Sequence, residues 1–529
     1  YEIGVRLVGS EMCIRDSYTS REGFNAQSNQ IKEAEYYYSS RTTYNTQLTG
    51  KYVWDHSRLD WNAGYAYANR NLPDRRRYTL DNQLDPDRIG LTTGNEISRE
   101  FTRLDEHIGS AGVNYRYTFE GGKVEPELFT GGYAEYRSRQ YGTRSFIYQW
   151  NTADNQLPAD FRYLDLPTQL LVDANYGDNG LYLIDDTKMR NDYEGRYRVL
   201  SAYAAVNVPL GAFNLYAGGR FEHSRMELIS NTRDYEVSPK SRFYEGNDFF
   251  PSVNATYRIT PQHQVRASYG RSINRPEFRE VSPSVFFDFD LASSVQGNTD
   301  LKACHIDNVD LRYEWYPAPG DQISLAAFYK HFDSPIEWTY TVTGGTDLVY
   351  SYENAHRAHN YGLELDVRKN LRFIGLPDFT LVFNGALIKS EVKFDKQSRQ
   401  KDRPMQGQSP YLINLGVFYS HKDWNASLLY NRIGKRLIGV GRSLGSTGDQ
   451  TVNIPDSYEM PRNSLDFSVA RNFGKLNVKL GLKDIIGEKV LFKQFNEVSL
   501  PNGTQKEVEE VTRSYRPGRN FSLTLSYRF

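Results

Sequence analysis

Long apolar runs are missing from this 529-residue chain. Its mean hydropathy is -0.66, and no stretch approaches the roughly 18 apolar residues that a membrane-crossing helix needs. That excludes membrane helices but not strands, in which only alternate residues must be apolar. Cysteine is almost absent: only Cys13 and Cys304 occur. A disulfide framework and a thiolate metal site are therefore both excluded. Excess charge is missing too, with 64 Lys and Arg against 65 Asp and Glu. No basic footprint points to nucleic acid. Aromatic residues are plentiful instead, at 14% with 40 Tyr. The length exceeds what one ordinary soluble core supports, which leaves several soluble domains or one large barrel.

From about Arg41 onward, apolar and polar residues alternate in runs of strand length. Leu59, Trp61, Ala63, Tyr65 and Tyr67 form one series around Asp60 and Asn62. Val309, Leu311, Tyr313 and Trp315 form another around Asp310, Arg312 and Glu314. This period of two predicts strands with one apolar face. The connections decide between a sandwich and a membrane barrel. Tight links are predicted at Asp55–Ser57, Glu120–Lys123, Pro209–Ala212, Thr260–His263, Pro317–Asp321, Leu376–Asp378, Ser420–Asp423 and Asn472–Lys475. Long polar segments lie between them at 69–105, 138–195, 227–248, 272–305, 333–359, 391–410, 433–463 and 486–518. Short turns at one rim and long loops at the other describe an all-β, transmembrane, antiparallel up-and-down barrel with periplasmic turns and extracellular loops. Eight hairpins and the terminal run Asn520–Phe529 predict 17 or 18 strands in one domain.

The last residues form an amphipathic strand, with Phe521, Leu523, Leu525, Tyr527 and C-terminal Phe529 on one face. This ending is similar to the signal read by the barrel-assembly machinery of the outer membrane. At the other end the chain starts at Tyr1 without Met or a secretory leader, so we expect a piece of a longer exported protein. Residues 1–17, ending in LVGSEMCIRDS, resemble a translated sequencing-adaptor artefact, which leaves 18–529 as the native unit.

Seven segments share a family likeness. They are FFPSVNATYRITPQHQVRASYGRSINRPEFREVSP (249–283), GNTDLKACHIDNVDLRYEWYP (297–317), FYKHFDSPIE (328–337), RPMQGQSPYLINLGVFY (403–419), YNRIGKR (430–436), YEMPRNSLDFSV (458–469) and YRPGRNFSLTLSYRF (515–529). Together they resemble the barrel of TonB-dependent receptors of the Bacteroidetes type, strongly over 249–529 and by pattern over 41–248. The resemblance implies a 22-stranded barrel, an N-terminal plug and uptake of a scarce ligand driven through TonB. No residue of this chain corresponds to the plug or the TonB-contacting segment. The likeness leaves siderophore, vitamin, glycan and peptide open as ligands, and leaves a lipoprotein lid undecided.

Candidate binding residues lie in the expected extracellular loops. Arg75, Arg76 and Arg77 could grip an anionic ligand or lipopolysaccharide phosphates, because guanidinium forks match phosphate; the plainer reading is a solvated loop. Asp288 and Asp290 alternate with Phe287 and Phe289, and suit a cation or sugar contact. Phe286, Phe289, Trp150, Trp338 and Tyr340 could stack on a sugar or an aromatic chelate. His331, His356 and His359 could meet a metal or haem, although they also read as strand residues. No catalytic triad, phosphate loop, metal cluster or cofactor motif appears, so we expect no enzyme. The expected partners are outer-membrane lipid and lipopolysaccharide, the assembly machinery, TonB and an imported ligand. A passive porin-like channel and a structural or adhesive surface barrel are the competing readings.

Overall fold

The computed structural model describes residues 2–8, 12–24, 29–83, 85–91, 97–151, 157–163, 169–289, 293–342, 348–396, 398, 400–443, 453–499 and 505–529. Nearly every element is a strand, and twenty strands join in one antiparallel sheet. Neighbours in sequence are neighbours in space, as in an up-and-down meander. Glu2–Val8 and Met12–Phe24 pair with successive parts of Gln30–Trp54 and so share one position. Leu181–Asp185 only extends the row that Tyr193–Leu210 occupies beside Glu127–Trp150. Eighteen staves therefore remain, in agreement with the count from sequence. Among the described residues no pairing joins Asn520–Tyr527 to the strands at the other edge. No described helix is long and apolar enough to cross a membrane.

The sheet has two chemically different faces. Leu200, Val206 and Leu210 alternate outward along one strand and are 58%, 43% and 49% exposed. Phe221, Phe249 and Leu363 do the same on theirs. In water such a surface would be a large apolar patch; in lipid it is the required one. The other face is polar and concave. Tyr203 donates to Asn114 at 2.8 Å across an intervening strand, a contact that needs the sheet to curl inward.

The tight links fall at one rim. Asp55 and Lys422 adopt φ of 40° and 50°, and Gly211 and Gly474 adopt 65° and 59°, each in a predicted turn. One turn is displaced: it is Arg372–Gly375, not Leu376–Asp378, with Gly375 at φ 82° supplying the reversal. The opposite rim differs more from expectation. The strand Ser57–Asp81 continues far into the segment predicted as the first loop. The predicted loop 227–248 is mostly strand, because Phe213–Asn231 and Pro239–Thr260 pair up to Asn231 and Pro239. Above the lipid both faces of a strand meet water, so the alternation that marks strands disappears there.

The remaining connections fold back as a cap. A short sheet joins Val285–Asp288 and Ser293–Gln296 to Leu348–Asn354 and Ile336–Val342, thereby linking two different loops. Its core is Phe278, Val281, Val295, Leu301 and Tyr352, packed on Tyr193, Met226 and Leu228 of the barrel wall. Gly297 closes this turn: a Cβ there would lie 2.2, 2.6 and 2.7 Å from the carbonyls of Ser282, Arg279 and Glu280.

Candidate functional site

The arginine run lies on a strand, and a bulge decides where it points. Register shifts between Leu72 and Arg75 against one flanking strand and between Asn71 and Arg76 against the other, with Pro73 and Asp74 inside both irregular stretches. Pro73 has no N–H to donate, and Asp74 takes the left-handed φ of 73°. Below the bulge the odd-numbered residues, such as Tyr65, face outward. One extra residue reverses that parity. Arg75 and Arg77 therefore turn inward, while Arg76 turns out and pairs with Asp74 at 2.6 Å.

Inside, the run meets the cap. Arg75 is buried and bonded to Glu35 at 2.9 Å, with Glu100 at 3.5 Å. The same guanidinium donates to the carbonyl oxygen of Phe287 at 3.1 Å. Arg77 stacks on the Phe287 ring, 4.5 Å from its centroid. Unlike Arg75 and Arg76, Arg77 has no hydrogen bond or ion pair among the described residues, and its Nε is enclosed. Arg279 covers Phe286 at 3.5 Å. Phe286 and Trp338 pack on one cluster, where the Trp338 ring lies 5.1 Å from Tyr352. Arg75, Arg77, Phe286, Asp288 and Trp338 thus belong to one inner assembly although they span three segments. Asp288 is half-buried there and has bonding partners. Asp290 lies outside the described residues.

The other candidates separate. Trp150 packs with Leu170, Leu181 and Phe161 in a second core behind the wall. Phe289 and Tyr340 are buried. His331 and His359 face each other, Nδ1 to Nδ1 at 3.4 Å, with Tyr329 on His359 at 2.7 Å. His356 is instead paired with Asp395 at 3.4 Å. No group of three metal-ligating side chains occurs among the described residues. Phe521, Leu523, Leu525 and Tyr527 along the last strand, and Phe529 just beyond its end, are exposed, from 57% to 102%.

Sequence reasoning missed two polar systems. In the first, Arg275 bridges Glu222 and Asp248, the latter at 2.8 Å, and His305 holds the other Asp248 oxygen at 2.8 Å. Arg275 lies in the INRPEF segment, whose charge was the only signal. In the second, Arg403 and Glu337 are each 6% exposed and 3.0 Å apart. Arg403 also donates to the Trp338 carbonyl at 3.1 Å, and nearby Ser398 donates to Glu353 at 2.9 Å. The loop from strand Leu376–Lys393 is thereby fastened to the hairpin carrying Trp338. Burial raises the pKa of Glu337, Glu353 and Glu280 in this cap. The assembly offers cations, rings and carbonyls to a ligand.

The comparisons agree with this architecture. The solved structure titled as the unliganded ferric citrate transporter FecA matches at a TM-score of 0.56 and 12% identity, over 99% of this chain and 78% of that one. The ferric yersiniabactin uptake receptor FyuA from Yersinia pestis matches at 0.51 and 13%, over 98% and 75%. The copper transporter OprC matches at 0.54 and 10%, over 99% and 80%. Likeness at such identities is likeness of fold. No curated protein matches by sequence. The family model described as TonB dependent receptor-like, beta-barrel matches residues 34–482, most of the chain. On that match, this chain belongs to the TonB-dependent receptor-like β-barrel family of the outer membrane.

Proposed function

We propose that this barrel serves an energised importer whose ligand is a compact anionic metal chelate of the siderophore type. The carrying observation is Arg77, a guanidinium with no hydrogen bond or ion pair of its own among the described residues, held on the Phe287 ring at 4.5 Å inside an aromatic cap, with the carboxylates of Glu100, Glu35 and Glu33 acting on it only through space. A cation left without a partner is costly in such a place unless a ligand completes it. FecA and FyuA, which share the fold, are titled as ferric citrate and ferric yersiniabactin proteins. A neutral glycan would leave the Arg77 guanidinium without a hydrogen-bonding anion, so an anionic ligand is favoured over it. Coupling to TonB belongs to this reading, through a plug region upstream in the gene. We also propose that residues 1–17 are an adaptor-derived stretch, which resequencing the gene across Ser17 tests.

The experiment is binding and uptake with the complete gene product. Ferric citrate, a ferric catecholate, cobalamin and a neutral oligosaccharide are offered to cells with and without TonB. Saturable, TonB-dependent uptake of a ferric chelate is expected. Steady ion conductance in a planar bilayer without uptake would establish a passive channel instead.

A further inference from the structure

Two histidines on neighbouring strands face each other near the rim opposite the tight turns. His331 of Gln322–Asp333 and His359 of Arg357–Leu371 are direct register partners. Their Nδ1 atoms lie 3.4 Å apart, and their ring centroids 4.9 Å apart. Both belong to the outer face, since Tyr329 and Tyr361 alternate outward with them and are 42% and 43% exposed. Each histidine stands two residues from the end of its strand, where Asp333 and Arg357 are exposed on the same face and opposite one another. A lipid-facing Asp or Arg is costly, so this end of the wall stands in water.

As a hydrogen bond the histidine contact is poor. The Tyr329 hydroxyl reaches the same His359 Nδ1 at 2.7 Å. One imidazole nitrogen carries either a proton or a lone pair, so it cannot serve both neighbours well. If Tyr329 donates to it, the His331 nitrogen finds its lone pair taken. If it donates to Tyr329, the His331 nitrogen meets an N–H aimed elsewhere. At 3.4 Å the histidine contact is also long. The separation fits another use. Two metal–nitrogen bonds of about 2.0–2.1 Å at the tetrahedral angle place their nitrogens about 3.3–3.4 Å apart. The same register row supplies negative charge on both sides: Asp307 is opposite His331, and Glu391 is opposite His359. Asp307 accepts from Tyr269 at 2.9 Å, and Glu391 lies 3.8 Å from Lys393, so both carboxylates act from beside the pair.

We infer that His331 and His359 form a two-imidazole site for a divalent transition ion of the zinc type, each binding through Nδ1, with water as the remaining ligand. Both rings are neutral in that state and keep their proton on Nε2. Imidazole nitrogen selects such ions over calcium and magnesium, which take oxygen ligands. Asp307 and Glu391 offset the added positive charge, while Asp333 and Arg357 cancel one another. His356, although near in sequence, is paired with Asp395 and takes no part. The site lies on the outer face, away from Arg77, so it does not rest on the chelate reading.

The test is calorimetric titration of zinc chloride into the full-length receptor, purified in detergent from outer membranes, stripped with EDTA and dialysed. Saturable binding of one ion per chain is expected at this site, and excess magnesium chloride should not compete. H331A and H359A should each weaken it by at least about tenfold, since even the outer partners of a metal ligand cost that much. The double variant should lose little more than either single one, because one imidazole alone does not make the site. H356A should bind as the wild type does. If an alanine variant does not accumulate, glutamine at the same position is read in the same way. Uptake of the ferric chelate should be unchanged in all of them, which separates this site from the import reading. Wild-type zinc affinity in H331A/H359A would mean an adventitious ion only and overturns the site. Absence of saturable zinc binding by the wild type, or competition by magnesium, overturns it too.

Discussion

Arg75 and Phe287 are joined by a hydrogen bond from guanidinium to carbonyl at 3.1 Å, across 212 positions of sequence. The bond ties the cap to the barrel wall, and Glu35 and Glu100 hold the arginine that makes it. Anchor and candidate ligand cation are therefore neighbours on one strand, two residues apart. That proximity assigns different tasks to residues the sequence presents as equivalents.

Arg75→Ala should destabilise the cap. It strands the buried Glu35 carboxylate and the half-buried Glu100 carboxylate and frees the Phe287 carbonyl, and removing one member of a buried pair costs about 3–5 kcal/mol. Limited proteolysis of the folded receptor should show faster cleavage between Arg275 and Ala303. Cleavage at the wild-type rate would contradict the anchoring role.

Arg77→Ala should leave that proteolysis unchanged and lower affinity for the ferric chelate by about tenfold or more, the value of one charge-assisted contact. Arg76→Ala, which removes only an outward pair with Asp74, should change neither. Titration of the three variants with one chelate checks the order. Equal losses for Arg76 and Arg77 would remove the case for an inner site.

The barrel was legible in sequence because lipid imposes a strict rule on one face, and residues such as Leu59 and Trp61 obey it. Turns were legible where chemistry marks them, as at Gly211 and Gly474. The displaced turn had its marker as well, in Gly375, but Pro377 and Asp378 attracted the assignment. Strand length above the membrane was not legible, because Ser230 or Lys240 has no lipid to avoid. Nor was the meeting of Arg75 with Phe287. It depends on the bulge at Pro73–Asp74, which reverses the facing of every later residue while leaving composition untouched. Arg403 and Glu337 were invisible for another reason: a buried ion pair between two loops has no periodic signature.

That pair gives a prediction of coupling. Glu337→Gln and Arg403→Met should each destabilise the hairpin Ile336–Asn354 by several kcal/mol, on the order of 3. The double variant should cost much less than the sum, since neither charge then remains buried alone. A double-mutant cycle on hydrogen exchange of the hairpin measures this. Additive losses would show that the 3.0 Å contact does not hold the loop.

Removal of Phe529, the fully exposed aromatic that follows the last strand, should lower the amount of receptor in the outer membrane without altering chelate affinity per folded molecule. Quantitative blotting of membrane fractions beside a binding assay separates these effects. Normal insertion would deny the last residue a part in assembly.

Acid should tighten the cap. Burial raises the pKa of Glu353 and of Glu280, so the folded cap favours their protonated forms. A carboxyl raised on folding binds more protons in the folded state, which makes stability fall as pH rises. Its contribution is complete below the unfolded value of about 4.3 and is lost as pH climbs through the raised value. Hydrogen exchange at Leu348–Asn354, corrected for intrinsic rates, should therefore slow between pH 7 and pH 5. Glu353→Gln cannot ionise and keeps an acceptor for the Ser398 hydroxyl, which donates to Glu353 at 2.9 Å. The variant should flatten most of that dependence and protect the hairpin at pH 7. Glu337, which burial also raises despite Arg403 beside it, contributes in the same direction, so a wild-type hairpin that exchanges faster in acid would contradict this account.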